Sequence, residues 1–236
     1  MTEERLVRAI HGNRETKPDA SFEKEFAEKL KKENTREELL DLLSSYSKKK
    51  SFFETTLRRV LWKALTNSFG DANSIGKDVA VKHPETFQIG NQVFIGDHAH
   101  LQGRFDGTLR IGNHTWIGPQ VFLDARDLTI GEYVGIGPGS KILGSTHTGS
   151  PADVPIIQTE LSIRPVVIED WADIGVSSVI LPGVRIGKGS IVGAGAVVSE
   201  NVQPFSIVVG VPARFLKWRE GAPQTHSPKN EFKEKR

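Results

Sequence analysis

One histidine at the base of a long insertion is the side chain in this sequence best suited to acid–base chemistry. His147 stands in Gly144-Ser145-Thr146-His147-Thr148-Gly149, a run of small and hydroxyl-bearing residues. An imidazole titrates close to neutral pH, so it can take a proton from a hydroxyl group as that oxygen attacks a carbonyl carbon. The alternative interpretation is that His147 is only the last turn residue before the insertion. The chain has no cysteine, which excludes a cysteine nucleophile and a thiolate metal site.

The insertion interrupts a six-residue repeat. Aliphatic residues recur at a spacing of six in five triplets, Ile89-Ile95-Leu101, Ile111-Ile117-Leu123, Ile130-Ile136-Ile142, Ile168-Ile174-Ile180 and Ile186-Val192-Val198. Glycine usually follows the aliphatic residue, and a small or β-branched residue usually stands four places after it. This period fits neither an α-helix nor an amphipathic strand. It predicts a triangular prism in which three hexads make one coil, and five coils stacked at about 4.8 Å give a rod about 24 Å long.

The repeat is broken at three places, where a functional site is expected because a regular rod has no cleft. Four residues are added after Leu101, one after Leu123 and twenty after Ile142. A loop as long as the third insertion usually has a function when it occurs inside a compact repeat. Three charged residues at the second break, one coil below the long loop, are interpreted as candidate substrate contacts: Asp124, Arg126 and Asp127.

The pattern Ile/Val-Gly-x-x-small-x resembles that of the hexapeptide-repeat acyltransferases over about residues 70–219. The resemblance implies a mainly β fold, a left-handed parallel β-helix of about five to six coils with an N-terminal α-helical extension and a protruding loop. It also implies acetyl-CoA-dependent transfer to a sugar or polysaccharide hydroxyl, as in the maltose, galactoside and capsular polysaccharide O-acetyltransferases. His147 would be the general base of a direct transfer. The alternatives are N-acetyl transfer to an amino-sugar nucleotide, and a non-catalytic scaffold.

The same resemblance implies that acetyl-CoA lies along the last coils, in a groove between subunits of a homotrimer. By position, Gly175 and Ala194 would offer backbone contacts and Ser199 a hydroxyl. Arg214 would face the nucleotide phosphates, which its planar fork suits, and the Trp171 indole could wall the thioester end. The glycines also suit the corners of a prism, so a purely structural role stays open for them and for Arg214. Four apolar residues predicted on the outer faces favour assembly: Phe94, Trp116, Phe122 and Ile191.

Three positions depart from the galactoside-type pattern. Gly96 stands where those enzymes carry an asparagine, Asp173 where they carry a tryptophan, and Glu200 where a lysine often follows Ser199. The acceptor is therefore expected to differ from theirs. A rival resemblance is to γ-type carbonic anhydrases, which bind zinc through histidines spaced His-x-x-x-x-His. That spacing does not occur in this chain, and no metal is predicted.

The first 70 residues predict helices. Phe22, Phe26 and Leu30 recur at helical spacing, and two pairs form capping-box signatures, Thr35 with Glu38 and Ser51 with Glu54. We predict a helical extension over 1–70, the β-helix over 71–219 and a polar tail over 220–236. Three or four amphipathic helices would either cover the open edge of the first coil or shape the acceptor pocket.

Composition sets the remaining expectations. A formal net charge of +2 over 236 residues implies no polyanion partner, and we interpret the basic tail at 229–236 as solvated rather than as a nucleic-acid patch. No apolar stretch approaches the roughly 20 residues that a membrane span needs, and the first residues lack a signal-peptide core. We expect a cytoplasmic protein with no membrane span and no nucleic-acid partner.

Overall fold

The computed structural model describes residues 4–13 and 15–223 of the chain. They form a mainly β parallel solenoid of about seven turns, preceded by three α-helices. The helices are α1 (Ser21–Glu33), α2 (Arg36–Ser45) and α3 (Phe52–Leu65). Short 3₁₀ turns occur at His11–Asn13, Pro84–Thr86 and Ile156–Gln158. No helix in the described part of the chain combines the length and the apolarity needed to cross a bilayer, and the basic tail at 229–236 lies outside the described residues.

Three parallel sheets form the faces of the prism, and we name them in chain order. Sheet A consists of Ser68–Phe69, Phe87–Ile89, Leu109–Ile111, Leu128–Ile130, Val166–Ile168 and Arg185–Ile186. Sheet B consists of Ser74–Ile75, Phe94–Ile95, Trp116–Ile117, Gly135–Ile136, Asp173–Ile174, Ile191–Val192 and Ser206–Val209, with Arg214–Trp218 added antiparallel at its end. Sheet C consists of Ala80–Lys82, His100–Gly103, Phe122–Ala125, Lys141–Ile142, Val179–Ile180 and Val197–Val198.

The predicted inward positions form the core. Ile111 pairs with Ile89 on one side and with Ile130 on the other, and Ile168 continues the same column. These side chains are at most 3% exposed, because each coil can bury its apolar residues only against the coils above and below it. The hexad therefore predicted the core correctly. The left-handed sense of winding stays a prediction.

The solenoid has more coils than the five to six predicted. Phe69, Ile75 and Val81 form an earlier coil in register with Ile89 and its successors. At the other end, Val202 and Val208 begin a seventh turn. The hexad pattern does not reveal the first coil, because this coil follows α3 directly and its sequence merges with that of the helical region.

Helix α3 joins the helical extension to the first coil. Leu61, Trp62 and Leu65 are almost fully buried and belong to the same core as the solenoid. Arg58 is 2% exposed and donates hydrogen bonds to three backbone carbonyls, those of Ile75, Tyr46 and Lys49. Burial lowers the pKa of this guanidinium, against the opposing charges of nearby carboxylates. The helices therefore pack on the open edge of the first coil.

The two predicted capping pairs are present, but α1 presents a different face from the one predicted. Phe22 and Phe26 are 55% and 42% exposed, whereas Glu23 and Ala27 are buried. The reason is electrostatic. Glu23 accepts two hydrogen bonds from the Arg59 guanidinium of α3, at 2.8 and 2.7 Å, and this bidentate pair turns the face that carries Glu23 and Ala27 inward.

Candidate active site

The long insertion leaves the prism between sheet C and sheet A, over residues 143–165. Its two ends form an antiparallel ladder, Ser145–His147 against Leu161–Ile163. His147 stands opposite Leu161 at the outer end of that ladder. The predicted loop is therefore a hairpin that carries His147 outward from the coil.

The His147 imidazole has a defined orientation. Its Nδ1 lies 3.0 Å from the backbone carbonyl oxygen of Thr159. A carbonyl can only accept, so we assign the ring proton to Nδ1, which leaves the lone pair on Nε2. Nε2 forms no hydrogen bond to any described residue, and the side chain is exposed. This is the tautomer that a general base acting through Nε2 requires.

Thr159 holds the carbonyl that orients His147. It is 7% exposed, and its hydroxyl donates to the carbonyl of Ile156 at 2.6 Å and accepts from the backbone N–H of Gly149 at 3.2 Å. Sequence reasoning missed this residue. It contacts His147 through its backbone carbonyl, and a backbone group leaves no signal in the sequence.

Asp124 and Arg126 fasten the base of the hairpin. The Asp124 carboxylate accepts from the Ser145 hydroxyl at 2.7 Å and from the Gly144 N–H at 3.3 Å. Arg126 donates to Ser145 at 3.0 Å, and its Nε lies 2.9 Å from the carboxylate, close enough for an ion pair although not aligned as a hydrogen bond. The Arg126 and Asp124 side chains are only 16% and 8% exposed, so they contact mainly each other and the hairpin rather than solvent. Asp127 is exposed beside them.

Most residues predicted to bind the donor border the outer face of sheet C. Gly175 and Ala194 lie at the edge between sheets B and C, and Ser199 lies at the edge between sheets C and A, as the His147 hairpin does. The floor between these edges is formed by the outward side chains of neighbouring strands: Phe122, Lys141, Val179 and Val197.

The two predicted backbone contacts are not equivalent. The Gly175 N–H donates to Val192, and its carbonyl accepts from the Ser140 hydroxyl. A Cβ at Gly175 would lie 2.5 Å from the nitrogen of Ala194, so this glycine is required by the packing of two coils. The Ala194 N–H donates no hydrogen bond within the described residues and is available to a ligand.

The remaining predicted residues lie at the ends of this region or outside it. Arg214 begins the antiparallel strand at the end of sheet B, and its side chain is 63% exposed with the nearest carboxylate, that of Glu200, at 3.8 Å. Ser199 is exposed. Trp171 is half exposed at the edge between sheets A and B, with the Lys188 ammonium 3.8 Å over its ring. It is therefore not brought together with the sheet C residues of the same chain.

The histidines at the other outward positions form no metal centre. His100 packs edge-on against Phe122 at 5.3 Å between ring centroids. Across residues 4–13 and 15–223, no group of three or more His, Asp or Glu side chains is arranged to hold a metal ion.

Comparisons with curated proteins give short matches. A Schizosaccharomyces pombe protein named as an acetyltransferase is 39% identical over 97 residues, which are 41% of this chain and 45% of the relative. The 2,3,4,5-tetrahydropyridine-2,6-dicarboxylate N-acetyltransferase of Staphylococcus aureus is 44% identical over 73 residues, 31% of this chain and 30% of that enzyme. The matched region thus spans less than half the length of these relatives. No family model matches the chain.

Solved structures match over more of the chain. A point mutant of AntD, an N-acyltransferase from Bacillus cereus in complex with dTDP-4-amino-4,6-dideoxyglucose and coenzyme A, has a TM-score of 0.60 at 27% identity, and the match covers 68% of this chain and 88% of that one. A hexapeptide-repeat acetyltransferase from Vibrio cholerae, complexed with acetyl-coenzyme A, has a TM-score of 0.57 at 28% identity, with 78% and 86% covered. With the hexad register of the core, these matches show that the chain is similar to hexapeptide-repeat acetyltransferases in fold and in part of its sequence.

Proposed function

We propose that this protein is an acetyl-CoA-dependent acetyltransferase acting on a sugar or polysaccharide, with His147 as the general base. The observation that carries the proposal is the hydrogen bond from His147 Nδ1 to the Thr159 carbonyl, which leaves Nε2 unprotonated and exposed on the protruding hairpin. The family likeness supports the reaction class. A scaffold would have no need of a histidine held in this tautomer.

The chemistry follows from that geometry. His147 Nε2 removes the proton of the acceptor hydroxyl as its oxygen attacks the thioester carbonyl carbon. The C–S bond then breaks, and the CoA thiolate takes the proton from the imidazolium. The products are the acetyl ester and free CoA. We propose direct transfer between the two substrates; since the chain has no cysteine, a cysteine acyl-enzyme is excluded.

We propose that the donor lies along the outer face of sheet C. Val179 and Val197 offer an apolar floor, the Ala194 N–H is an unused donor among the described residues, and Ser199 lies on the same edge as the His147 hairpin. Arg214 at the end of the groove suits the nucleotide phosphates.

Two residues modify this donor site. Gly175 contributes by allowing the coils to approach each other rather than by binding. Glu200, at 3.8 Å from Arg214, weakens the phosphate site relative to the lysine expected there, because its carboxylate repels phosphate and competes for the guanidinium.

The acceptor is proposed to approach the base of the hairpin. Asp127 is the exposed carboxylate there, whereas Asp124 and Arg126 position the hairpin. A second candidate is N-acetylation of an amino-sugar nucleotide, favoured by the likeness to AntD, whose complex contains dTDP-4-amino-4,6-dideoxyglucose. The same base then takes a proton from an amino group.

A homotrimer is proposed because the three faces of the prism differ. Apart from Val167, the outward row of sheet A is polar, with Gln88, Arg110 and Thr129 among its residues. Sheets B and C carry outward aromatic and aliphatic residues. Phe94 and Trp116 are partly covered by His11 of the same chain, so this argument rests mainly on Phe122 and Ile191. Trp171 would reach a sheet C groove only in a neighbouring copy. A cytoplasmic location stays a prediction.

The test is release of free thiol from acetyl-CoA across a panel of sugars, amino sugars and sugar nucleotides. The absence of cysteine means that a thiol reagent detects only CoA. Acceptor-dependent release supports the enzyme, and mild alkali then separates the two candidates, since it cleaves an ester and spares an amide. No release with any acceptor, together with no binding of CoA by calorimetry, would leave the scaffold interpretation.

A further inference from the structure

The three breaks in the repeat all fall on one edge of the prism, where sheet C passes into sheet A. They lie at the ends of the second, third and fourth coils, and contacts join them in series. A Cβ at Gly107, in the first break, would lie 3.2 Å from the backbone of Arg126 in the second. Arg126 in turn donates to Ser145 at the base of the His147 hairpin. This edge is therefore a continuous surface that leads from the hairpin toward the first coil.

Four side chains at the far end of this surface form what we name the edge cluster: His83, Arg104, Phe105 and Asp106. His83 ends the first coil, and the other three lie in the first break, at the end of the second coil. Phe105 is 69% exposed, in a turn closed by a hydrogen bond from the Gly107 N–H to the Arg104 carbonyl at 3.1 Å. Turns favour small and polar residues, so neither the turn nor the core accounts for a phenylalanine here.

The Phe105 ring is bordered by groups that form hydrogen bonds. The Arg104 guanidinium lies 5.1 Å from the ring centroid and is itself held by the Asp106 carboxylate. The His83 ring meets Phe105 at an angle of 63°, with the centroids 6.2 Å apart. These contacts leave most of Phe105 open to solvent. An open aromatic ring with such a border suits a sugar, whose C–H face packs on the ring while its hydroxyls form hydrogen bonds with the polar groups.

His83 is held in one orientation, as His147 is. Its Nδ1 lies 2.9 Å from the Glu85 carboxylate, which also accepts from Arg36 of α2 at 2.6 Å. Burial alone would raise the pKa of Glu85, but hydrogen bonds from His83 and from its own backbone N–H, with the charge of Arg36, outweigh burial and lower this pKa. An ionised carboxylate can only accept, so we assign the ring proton to Nδ1. Nε2 has no partner among the described residues and is left to accept from a hydroxyl.

We propose that the acceptor is an extended saccharide, an oligosaccharide or polysaccharide, that runs along this edge from the His147 hairpin to the edge cluster. This rests on the proposed acetyl transfer, because the hairpin fixes one end of the acceptor. Phe105 lies two coils before the hairpin, about 9.6 Å along the rod at about 4.8 Å per strand spacing, which is more than the width of one sugar ring. The exposed Asp127 lies between them in the third coil. Phe105 therefore packs on a sugar unit that is not acetylated and selects long acceptors without touching the reacting atoms.

The first test is binding without acetyl-CoA, measured by saturation-transfer NMR on the full chain. The probes are two series, glucose to maltohexaose and N-acetylglucosamine to chitohexaose. We expect the longest member of at least one series to bind at least about tenfold more tightly than its monosaccharide. Phe105→Ala should remove this gain, and Phe105→Trp, which keeps an aromatic ring, should retain it. The control Phe52→Ala removes another unpacked phenylalanine, 83% exposed on α3, and should change nothing.

Kinetics with acetyl-CoA and the same probes separates the length of the acceptor from the reaction itself. Phe105→Ala should lower kcat/KM for the long acceptor about tenfold and leave that for the monosaccharide within about threefold, with kcat unchanged. Thiol release that does not depend on length, or a length gain that survives Phe105→Ala, would overturn the extended acceptor and leave the acetyltransferase standing. Length-dependent binding through Phe105 without thiol release would refute the reaction and keep the saccharide site. Equal binding of long and short probes, or no binding of either series, would also overturn the extended acceptor.

Discussion

The base of the hairpin should loosen sharply when Asp124 is replaced by asparagine. Its carboxylate is bonded to Ser145 and Gly144 and paired with Arg126, and the Asp124 and Arg126 side chains are only 8% and 16% exposed. Removing one partner of a buried ion pair costs about 3–5 kcal/mol. Arg126 keeps some access to water and its bond to Ser145, so the lower end applies, about 3 kcal/mol. Because about 1.4 kcal/mol corresponds to a factor of ten, opening of the hairpin should become about 10²-fold more frequent.

Amide hydrogen exchange measures that opening directly. The informative amides are those of Thr148 and Arg164, which bond across the insertion to Glu160 and Gly144. We expect their exchange to accelerate about 10²-fold in Asp124→Asn, while the core of sheet A keeps its protection. Asp127→Asn, an exposed neighbour, is the matched control and should change these rates less than about threefold. Equal acceleration in the two variants would refute the assignment of Asp124 as the residue that holds the hairpin.

Three further predictions concern the fold. Arg58→Met leaves three backbone carbonyls without their hydrogen-bond donor and should lower the free energy of unfolding in urea by about 3 kcal/mol. The control Arg110→Met removes an exposed arginine and should cost under about 1 kcal/mol. Similar losses in the two variants would contradict the role of Arg58 in packing α3 on the first coil. Gly175→Ala, whose Cβ would meet a backbone nitrogen at 2.5 Å, should cost about 2–3 kcal/mol. Gly195→Ala, with open space around its Cβ but a φ of +69°, should cost about 1–2 kcal/mol. A larger loss of thermal stability in Gly195→Ala than in Gly175→Ala would contradict the close packing of two coils at Gly175. Burial alone would raise the pKa of Asp71, but the hydrogen bond from Lys24 and the charges of Lys24 and Lys63 outweigh burial and lower this pKa. The Asp71 carboxylate therefore stabilises the fold fully above its pKa in the unfolded chain, about 4. This stabilisation is lost as the pH falls through the lower pKa of the folded protein. The urea midpoint of Asp71→Asn should fall less steeply with acid than that of the wild type, and parallel curves would disprove the linkage.

The repeat makes the core predictable, because an inward side chain every six residues leaves little freedom in the register. The six-residue spacing predicts the inward positions of Ile111 and Ile168 correctly. It also holds for Phe69 and Ile75 in the first coil, which begins just after the end of α3. The face of α1 is not predictable from apolar spacing. Phe22 and Phe26 follow the helical period, but the charge pair between Glu23 and Arg59 determines which side is buried.

The site is predictable only as far as side-chain patterns reach. His147 can be selected from the insertion and its small neighbours, and the hydroxyl of Ser145 is visible in the same run. Thr159 cannot be found, because it acts through a backbone carbonyl twelve residues away along the chain. Asp124 stands out as a charged residue at a break in the repeat, but its bonds to the hairpin depend on three-dimensional contacts between coils.

The central claim is that His147 takes the proton from the acceptor, and it is tested by comparing His147→Ala with His98→Asn. His98 is another exposed histidine, in a left-handed corner that asparagine tolerates. With the best acceptor of the panel, kcat/KM for thiol release should fall by about 10²-fold or more in His147→Ala and stay within about threefold in His98→Asn, with CoA affinity unchanged in both. Wild-type turnover in His147→Ala would contradict the account and place the base on another residue.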